Sequence, residues 1–243
     1  MKKTKHNTIT RRTLIEWLGK SFVIGLSGDL ILSCTPDPDF IIDNSIKIEE
    51  LSDDPAIKLP VDQIPQDKLW TEFTVDRQSI ISILNNWKLV VNGLVKNPVE
   101  ITFEEMLNLP RMDQASDLYC VTGWSVYDIP WNGFHISTLY DLVEPKAEAS
   151  HITLHSYKDI YSESIAIEDA LSPQTMMAYG INGSTIPLPH GFPLRLVVPY
   201  KFGYKSAKYV YGIEFTDSAR TGYWEADGYS YEGEVPASRL RPK

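Results

Sequence analysis

Cysteine is scarce in this chain, since Cys34 and Cys120 are the only two among 243 residues. A framework of several disulfides, the usual stabiliser of small exported domains, is therefore excluded. Three interpretations of Cys120 stay open: a disulfide with Cys34, a buried and inert thiol, or a thiol with a chemical role. The hydrophobic content of 43% supplies enough apolar surface for a sizeable core instead.

Excess positive charge and internal hydrophobic runs are also absent from the sequence. The 23 basic residues are outnumbered by 32 acidic ones, which gives a formal charge of -9. This balance argues against binding of DNA or RNA through a broad basic face. Beyond the N-terminus, no apolar run reaches the roughly 18 to 20 residues that span a bilayer. The sequence therefore predicts a globular protein without an internal membrane span.

The first 34 residues predict an export signal, because basic residues precede an apolar run that ends at Cys34. The stretch "TRRTLI" resembles the twin-arginine motif, whose pathway carries folded proteins, often with a cofactor already loaded. The stretch "ILSC" resembles a lipobox, and a plain soluble signal is the alternative. Acyl chains on Cys34 would hold the protein at a membrane surface. We therefore expect a periplasmic or membrane-anchored protein.

The remaining chain divides at a change in composition. Residues 35–66 contain many prolines and acids and few apolar residues, which predicts a tether without a core of its own. Residues 67–243 form the predicted folded domain. If Cys34 is acylated, no second cysteine is left for a disulfide with Cys120.

From Trp87 onward, the patterns predict many short strands and few short helices. "WKLVVNGLV" alternates and closes on a turn at Asn92 and Gly93, which indicates a strand and hairpin. "TFEEMLNLP" predicts a helix with Thr102 as N-cap, and "STLYDLVEP" a second one capped by Ser137 or Thr138. Further strands are predicted at "HITLHSY", "LRLVVPY" and "SAKYVYGIEFTD". These elements indicate an α+β domain with mixed or antiparallel sheets.

A long window of the domain contains no acid. Between Asp169 and Glu214, 44 consecutive positions lack Asp and Glu. Arginine forks, lysine charges and glycines that let backbone N–H groups approach are typical of phosphate sites. The window predicts an anion cradle, although it is no Walker or dinucleotide motif; the alternative is a core strand at "LRLVVP" and a solvated Lys201. Its basic residues are His190, Arg195, Lys201, Lys205 and Lys208.

Three separated blocks of the chain carry a resemblance to a known family. They are "WKLVVNGLVKNPVEITFEEMLNLP", "LYCVTGWSVYDIPWNGFHISTLYDLVEP" and "HGFPLRLVVPYKFGYKSAKYV". In this order and spacing they resemble the molybdopterin-binding domain of the sulfite oxidase family, in particular its exported methionine sulfoxide reductase subgroup. The resemblance covers about residues 68 to 232. It implies a sulfite oxidase-type molybdopterin-binding fold and a molybdopterin-dependent oxidoreductase.

The resemblance also implies a role for individual residues. Cys120 matches the catalytic cysteine that binds molybdenum beside the two dithiolene sulfurs of the pyranopterin, and a soft thiolate suits that metal. Arg195 matches the residue that holds the cofactor phosphate, and residues 206–208 match a backbone-plus-lysine clamp on the same group. The full set of implied cofactor-binding residues is Cys120, Ser156, His190, Arg195, Ser206, Ala207 and Lys208, with Lys68, Thr71 and Glu72 upstream.

The sequence departs from sulfite oxidases in ways that bear on the substrate. Those enzymes carry arginines shortly after the molybdenum cysteine, whereas "CVTGWSVYD" contains no cation. Sulfite is a dianion and should need cations near the metal, so a neutral sulfoxide or N-oxide is favoured as the oxygen-atom donor. Sulfite oxidation, a non-catalytic anion-binding lipoprotein and a cysteine-nucleophile enzyme are the alternatives. Trp124, Trp131 and Gly133 are interpreted as packing and turn residues, and the role of "GYWEADGYS" stays open.

The domain leaves no room for a second redox centre and contains no haem-binding motif. We therefore expect a monomer that exchanges electrons with a separate haem-containing or quinol-linked membrane protein. The substrate would be a small molecule or a group carried on a protein.

Overall fold

A computed structural model describes residues 87–241 of the chain. Lys68, Thr71 and Glu72 lie outside the described residues, as do Cys34, the predicted signal and the predicted tether. The described part contains ten strands and four short α-helices. None of its helices has the length and apolar character needed to cross a membrane.

The first sheet has five strands in the order β2-β1-β10-β5-β6. Strands β1 and β10 pair in parallel, and the other neighbours are antiparallel. The predicted hairpin is confirmed by the antiparallel pairing of β1 with β2, but its turn is not at Asn92 and Gly93, which belong to β1; residues 94–98 connect the strands. A Cβ at Gly93 would lie 2.3 Å from the carbonyl oxygen of Phe215, so the close approach to β10 requires glycine. The strands are β1 Lys88–Gly93, β2 Val99–Thr102, β5 His151–Ser156, β6 Ser162–Ala166 and β10 Val210–Thr216.

The second sheet is antiparallel throughout and follows the order β3-β4-β7-β8, with β9 paired to β7. Every residue of β7 and β9 is buried, which confirms that "LRLVVPY" forms a strand covered on both faces. The two sheets together confirm the predicted α+β class with mixed and antiparallel sheets. The strands are β3 Arg111–Tyr119, β4 Ser125–His135, β7 Met176–Ile181, β8 Ser184–Thr185 and β9 Arg195–Val197.

Both predicted helices are present, but the predicted cap of the second is wrong. In the first, Glu105 N–H donates to the Thr102 hydroxyl at 3.2 Å and Thr102 N–H donates to the Glu105 carboxylate at 2.9 Å, a complete capping box. The second begins after Ile136 without a side-chain cap, because Ser137 is already helical and its N–H donates to His135 Nδ1. The helices are α1 Phe103–Leu107, α2 Ser137–Val143, α3 Ile167–Ala170 and α4 Tyr223–Ala226.

The segment before β10 is a loop rather than the start of the strand predicted from "SAKYVYGIEFTD". Tyr209 has a φ of +58°, which interrupts extended backbone, so the strand begins at Val210. The loop instead lies beside β9: Leu196 N–H donates to the Ala207 carbonyl at 2.8 Å and Val198 N–H to the Ser206 hydroxyl at 3.1 Å. The fold thereby fixes residues 206–208 next to Arg195.

Candidate active site

A cavity of about 320 Å³ brings together most of the described residues that the sequence singled out. It lies where the turn after β3, the start of β9, the loop before β10 and the segment around α4 meet. This volume is at the lower end of the range for small-molecule and cofactor sites. The cavity is lined by Leu118, Cys120, Val121, Thr122, Trp124, Ile160, Tyr161, Arg195, Gly203, Tyr204, Ser206, Ala207, Lys208, Tyr209, Trp224 and Tyr229.

Cys120 lies in the tight turn that joins β3 to β4. Its N–H donates to the Trp124 carbonyl at 2.9 Å, and its carbonyl accepts from Gly123 N–H at 3.1 Å. Its Sγ lies 3.0 Å from the Thr122 hydroxyl, and the residue is partly exposed. Among the described residues, no group of three or more His, Cys, Asp and Glu side chains is arranged to hold a metal ion. A metal on Cys120 fits when further soft ligands come from a pterin dithiolene.

Arg195 is a buried cation that lines the cavity, with 3% of its surface exposed. Its Nη1 donates to the His190 carbonyl at 2.9 Å, and its guanidinium carbon lies 4.9 Å from the centre of the Trp131 ring. Burial lowers the pKa of Arg195 to about 10, so the group stays charged at neutral pH. No carboxylate in the described part of the chain forms an ion pair with it. Because a buried charge without a counter-charge is unfavourable, this position suits an anion such as a phosphate.

Gly191 brings the two cationic residues of the cavity close together. It has a φ of +114°, and a Cβ there would lie 3.1 Å from the Cβ atoms of both Arg195 and Lys208. Lys208 donates through Nζ to the Pro189 carbonyl at 3.1 Å. The predicted clamp of Ser206, Ala207 and Lys208 thus lines the cavity beside Arg195, and the residues present fit a bound phosphate.

Two of the predicted cofactor-binding residues lie behind the cavity wall. The buried Ser156 hydroxyl donates to the Lys208 carbonyl at 2.5 Å. His190, which is 2% exposed, accepts the hydrogen bond from Arg195 on its carbonyl. Neither residue lines the cavity. Through these hydrogen bonds, Ser156 contacts Lys208 and His190 contacts Arg195 on the side away from the cavity.

Two lysines of the acid-free window pair with acids from outside that window. Lys201 lies 3.1 Å from Asp169, and its side chain is 2% exposed, so its interpretation as a solvated residue is wrong. Lys205 lies 2.5 Å from Glu163 and 2.6 Å from Glu225. The window contains no acid in the sequence, but in the folded protein acids from other segments contact its lysines. The predicted anion cradle therefore reduces to Arg195, Lys208 and the backbone around them.

Most of the aromatic wall of the cavity was not predicted from the sequence. Trp224 from α4 and Tyr229 pack at 5.2 Å between ring centres, which resolves the open role of "GYWEADGYS" in favour of the cavity. Trp124, interpreted as a packing residue, lines the cavity as well. Tyr161 lies in a segment without a motif, and Tyr204 lies within the block "HGFPLRLVVPYKFGYKSAKYV" but was given no role.

Cations also lie closer to the Cys120 turn than the local sequence suggested. Arg239 donates to the Trp124 carbonyl at 3.3 Å, and Arg241 binds Asp117 at 3.0 Å and Asp128 at 2.8 Å. These arginines come from the far end of the described chain, so a local search after Cys120 could not find them. Neither lines the cavity, whose charged lining residues are Arg195 and Lys208.

The fold and the site define a molybdopterin-type oxidoreductase domain: two sheets, a thiol at a cavity, and the buried Arg195 with Lys208 beside it. The model of the oxidoreductase molybdopterin binding domain family matches residues 76–224, and the chain belongs to that family. It is therefore an oxidoreductase of sulfite oxidase type, close to the methionine sulfoxide reductase catalytic subunits. The predicted family and enzyme class are confirmed.

Several relatives are similar to this chain over the same domain. It is 36% identical over 151 residues to the uncharacterized oxidoreductase YuiH of Bacillus subtilis, covering 62% of this chain and 76% of that protein. It is 36% identical to the putative protein-methionine-sulfoxide reductase subunit YedZ1 of Azospira oryzae, covering 61% of this chain and 56% of that protein. Against the protein-methionine-sulfoxide reductase catalytic subunit MsrP of Campylobacter jejuni the identity is 28%, over 64% of this chain and 59% of that protein. The chain thus spans little more than half the length of the two sulfoxide reductase relatives.

The fold also resembles a solved structure. The sulfane dehydrogenase SoxCD from Paracoccus pantotrophus matches with a TM-score of 0.52 and 25% identity, covering 55% of this chain and 39% of that one. This similarity agrees with the sulfite oxidase-type fold predicted from the sequence.

Replacement of Gly191 by alanine is expected to destabilise the protein and loosen the cationic pair. The new Cβ would meet Arg195 and Lys208 at 3.1 Å on a backbone with φ of +114°, a strain of about 1–3 kcal/mol. Urea denaturation of Gly191→Ala and the wild type would measure the loss. Gly123→Ala is a matched control, since its φ is +111° but its Cβ would contact nothing within 4 Å. Equal losses in the two variants would contradict the role given to the contact.

Proposed function

We propose that this protein is a molybdenum-molybdopterin oxidoreductase that reduces a neutral, sulfoxide-like substrate by oxygen-atom transfer. The observation that carries the proposal is the composition of the cavity wall. Its two charged lining residues, Arg195 and Lys208, lie side by side where a phosphate fits, and the lining around Cys120 is apolar, aromatic or neutral. A sulfite dianion would lose its hydration there without cations of its own. The names of the sulfoxide reductase relatives support the same substrate class.

The residues that line the cavity would have different roles in this reaction. Cys120 would supply the protein ligand to the metal, and its turn would keep the thiol in place. Arg195 and the loop of residues 206–208 would hold the phosphate of the cofactor. Trp124, Trp224 and the neighbouring tyrosines would exclude water and pack against apolar substituents of the substrate. When bound, the cofactor supplies the two-electron chemistry of oxygen-atom transfer.

The electron donor and the location of the protein are part of the same proposal. Electrons would come from a separate haem-containing or quinol-linked membrane protein. Residues 1–34 would direct export through the twin-arginine pathway, Cys34 would carry the lipid, and residues 35–66 would tether the domain to the membrane. The "TRRTLI" and "ILSC" motifs support these assignments.

The test is an anaerobic assay of the protein purified from a host that makes molybdopterin. With a reduced viologen dye as electron donor, we expect turnover of methyl sulfoxides and of methionine sulfoxide, and about one molybdenum per chain. We expect kcat/KM for sulfoxides to exceed that for sulfite oxidation by about a hundredfold, a difference that binding of one charged group explains. Faster oxidation of sulfite than reduction of every sulfoxide would contradict the proposal.

A further inference from the structure

A buried cluster of three charged side chains lies directly beside the cavity. Lys205 precedes the loop of residues 206–208, Glu163 belongs to β6 and Glu225 belongs to α4. The Lys205 Nζ lies 2.5 Å from Glu163, 2.6 Å from Glu225 and 2.9 Å from the Ser164 carbonyl. The three side chains are 1%, 0% and 7% exposed, in the order Lys205, Glu163 and Glu225.

The hydrogen bonds of the cluster leave one carboxylate oxygen of Glu163 available to carry a proton. Two carboxylates share one ammonium group, so the fully ionised cluster would bury a net negative charge. Glu163 accepts on Oε1 from Lys205 and from Ser164 N–H. Its Oε2 is buried and has no hydrogen-bond partner among the described residues. An ionised oxygen without a donor is costly there, whereas a protonated one gives the cluster a net charge of zero.

The groups around Glu163 favour its neutral form. Burial, reinforced by the charge of Glu225 and opposed by Lys205, raises the pKa of Glu163 to about 8. The other titratable groups that face it are the phenols of Tyr161, Tyr204 and Tyr231. Burial is the main cause that raises the pKa of each phenol, and the charge of Glu163 adds to it. These phenols stay neutral near pH 7, so they neither compensate Glu163 nor take its proton permanently.

Tyr161 connects this cluster to the cavity. It lies two positions before Glu163, lines the cavity and stacks on Tyr223 at 5.4 Å between ring centres. Its hydroxyl donates to the carbonyl of Tyr204, which lines the cavity as well. The Tyr161 hydroxyl also lies close enough to Glu163 for the two side chains to interact, which adds to the effect of burial in raising the pKa of Tyr161. The phenol oxygen can therefore accept a proton from Glu163.

We propose that Glu163 stores a proton for the reaction and delivers it to the cavity through the Tyr161 hydroxyl. The inference rests on the proposed function, because reduction of a sulfoxide consumes two electrons and two protons and yields a sulfide and water. The haem-type or quinol-type donor supplies the electrons, Glu163 supplies one proton and water supplies the other. As the Tyr161 oxygen accepts the Glu163 proton, the phenol's own proton leaves the Tyr204 carbonyl and passes into the cavity, so Tyr161 stays neutral. After transfer, the Glu163 carboxylate stays paired with Lys205 until solvent returns the proton. Glu163 acts through Tyr161 and is therefore a positioning residue.

The test compares the pH profile of kcat for Glu163→Gln, Glu225→Gln and Tyr161→Phe in the cofactor-loaded enzyme, with a reduced viologen as donor. In the wild type, the reactive form carries the proton, so kcat should fall about tenfold per pH unit above pH 8. Glu163→Gln should lower kcat about a hundredfold and abolish that fall. Glu225→Gln should move the fall to lower pH, because it removes a repelling charge. Glu168→Gln, an exposed acid on α3, is the matched control and should keep the wild-type profile.

A second readout does not depend on turnover. The infrared C=O band of a protonated carboxyl group should disappear between pH 6 and 9 in the wild type, be missing in Glu163→Gln and persist in Tyr161→Phe despite its low kcat. An unchanged kcat profile in Glu163→Gln, or the lack of such a band, would overturn the inference while leaving the proposed function intact. The band without any sulfoxide turnover would overturn the proposed function and leave the stored proton supported. If Glu163→Gln fails to fold, the pH profiles of kcat and the infrared bands of Glu225→Gln and Tyr161→Phe test the inference in its place.

Discussion

Replacement of Cys120 by serine is expected to abolish sulfoxide reduction while the domain stays folded. A hydroxyl is a harder and far less acidic ligand than a thiolate, so the metal would lose its protein ligand. We expect kcat to fall by at least about three orders of magnitude, which equals about 4 kcal/mol of transition-state stabilisation. The change is nearly isosteric, and the backbone hydrogen bonds of the Cys120 turn do not involve the sulfur. Viologen-driven turnover, molybdenum content and circular dichroism on one preparation measure the effect.

The control for this prediction is the other cysteine. Cys34→Ser removes the predicted lipid site without touching the cavity residues, so purified protein should retain the wild-type kcat. A Cys120→Ser variant with full activity would contradict the role of the thiol. A loss of activity in both variants would indicate a disulfide between the two cysteines, the alternative that the sequence left open.

Replacement of Arg195 by methionine is expected to release the cofactor. Methionine keeps most of the side-chain volume but removes the buried charge that faces the proposed phosphate. Truncation of one partner of a buried, hydrogen-bonded charge pair costs about 2–5 kcal/mol, so cofactor affinity should fall roughly 30-fold to several-thousandfold. The cofactor-free protein should lose little stability, because the loss of the hydrogen bond to the His190 carbonyl is offset by removal of a buried charge that has no ion pair among the described residues. Molybdenum content after gel filtration and thermal unfolding of the cofactor-free protein measure the two effects.

Arg195→Lys separates charge from geometry at this position. Lysine retains a point charge but lacks the planar fork that binds a phosphate with two hydrogen bonds. We expect retention of the cofactor between that of the wild type and that of Arg195→Met. Full retention of molybdenum in Arg195→Met would contradict the phosphate site and would move the anchoring role to Lys208 and the loop beside it.

The sequence predicted best those features whose signals are local. The capping box at Thr102, the hairpin of β1 and β2 and the buried strand around Arg195 each rest on residues a few positions apart, and the structure contains all three, although the hairpin turns after Gly93. The helix after Ile136 was predicted with the wrong cap, because His135 satisfies the Ser137 N–H in place of a hydroxyl. Local patterns therefore predicted the elements themselves, and the local contact between His135 and Ser137 changed the cap of one helix.

The partners of charged side chains could not be predicted in the same way. The run without acids before Glu214 suggested that its lysines face an anion, yet Lys205 finds its carboxylates 42 and 20 residues away. Arg239 reaches the Cys120 turn across 115 residues. Part of the aromatic wall of the cavity, Tyr161, Trp224 and Tyr229, likewise comes from segments outside the blocks that carry the resemblance. The roles of the individual site residues, and those of Lys68, Thr71 and Glu72 outside the described residues, stay predictions.

The bonds that Arg239 and Arg241 make in and beside the Cys120 turn have a consequence for the order of biosynthesis. Arg239 follows its partner Trp124 in the turn by 115 positions, and Arg241 follows its partner Asp117, in β3 just before the turn, by 124. Strand β1 likewise pairs with the late strand β10. A nascent chain that has only just passed Cys120 therefore lacks the partners that fasten the thiol. We therefore expect molybdopterin to bind only after translation has ended and the domain has folded. Export of a folded, cofactor-loaded protein across a membrane would need the same order of events.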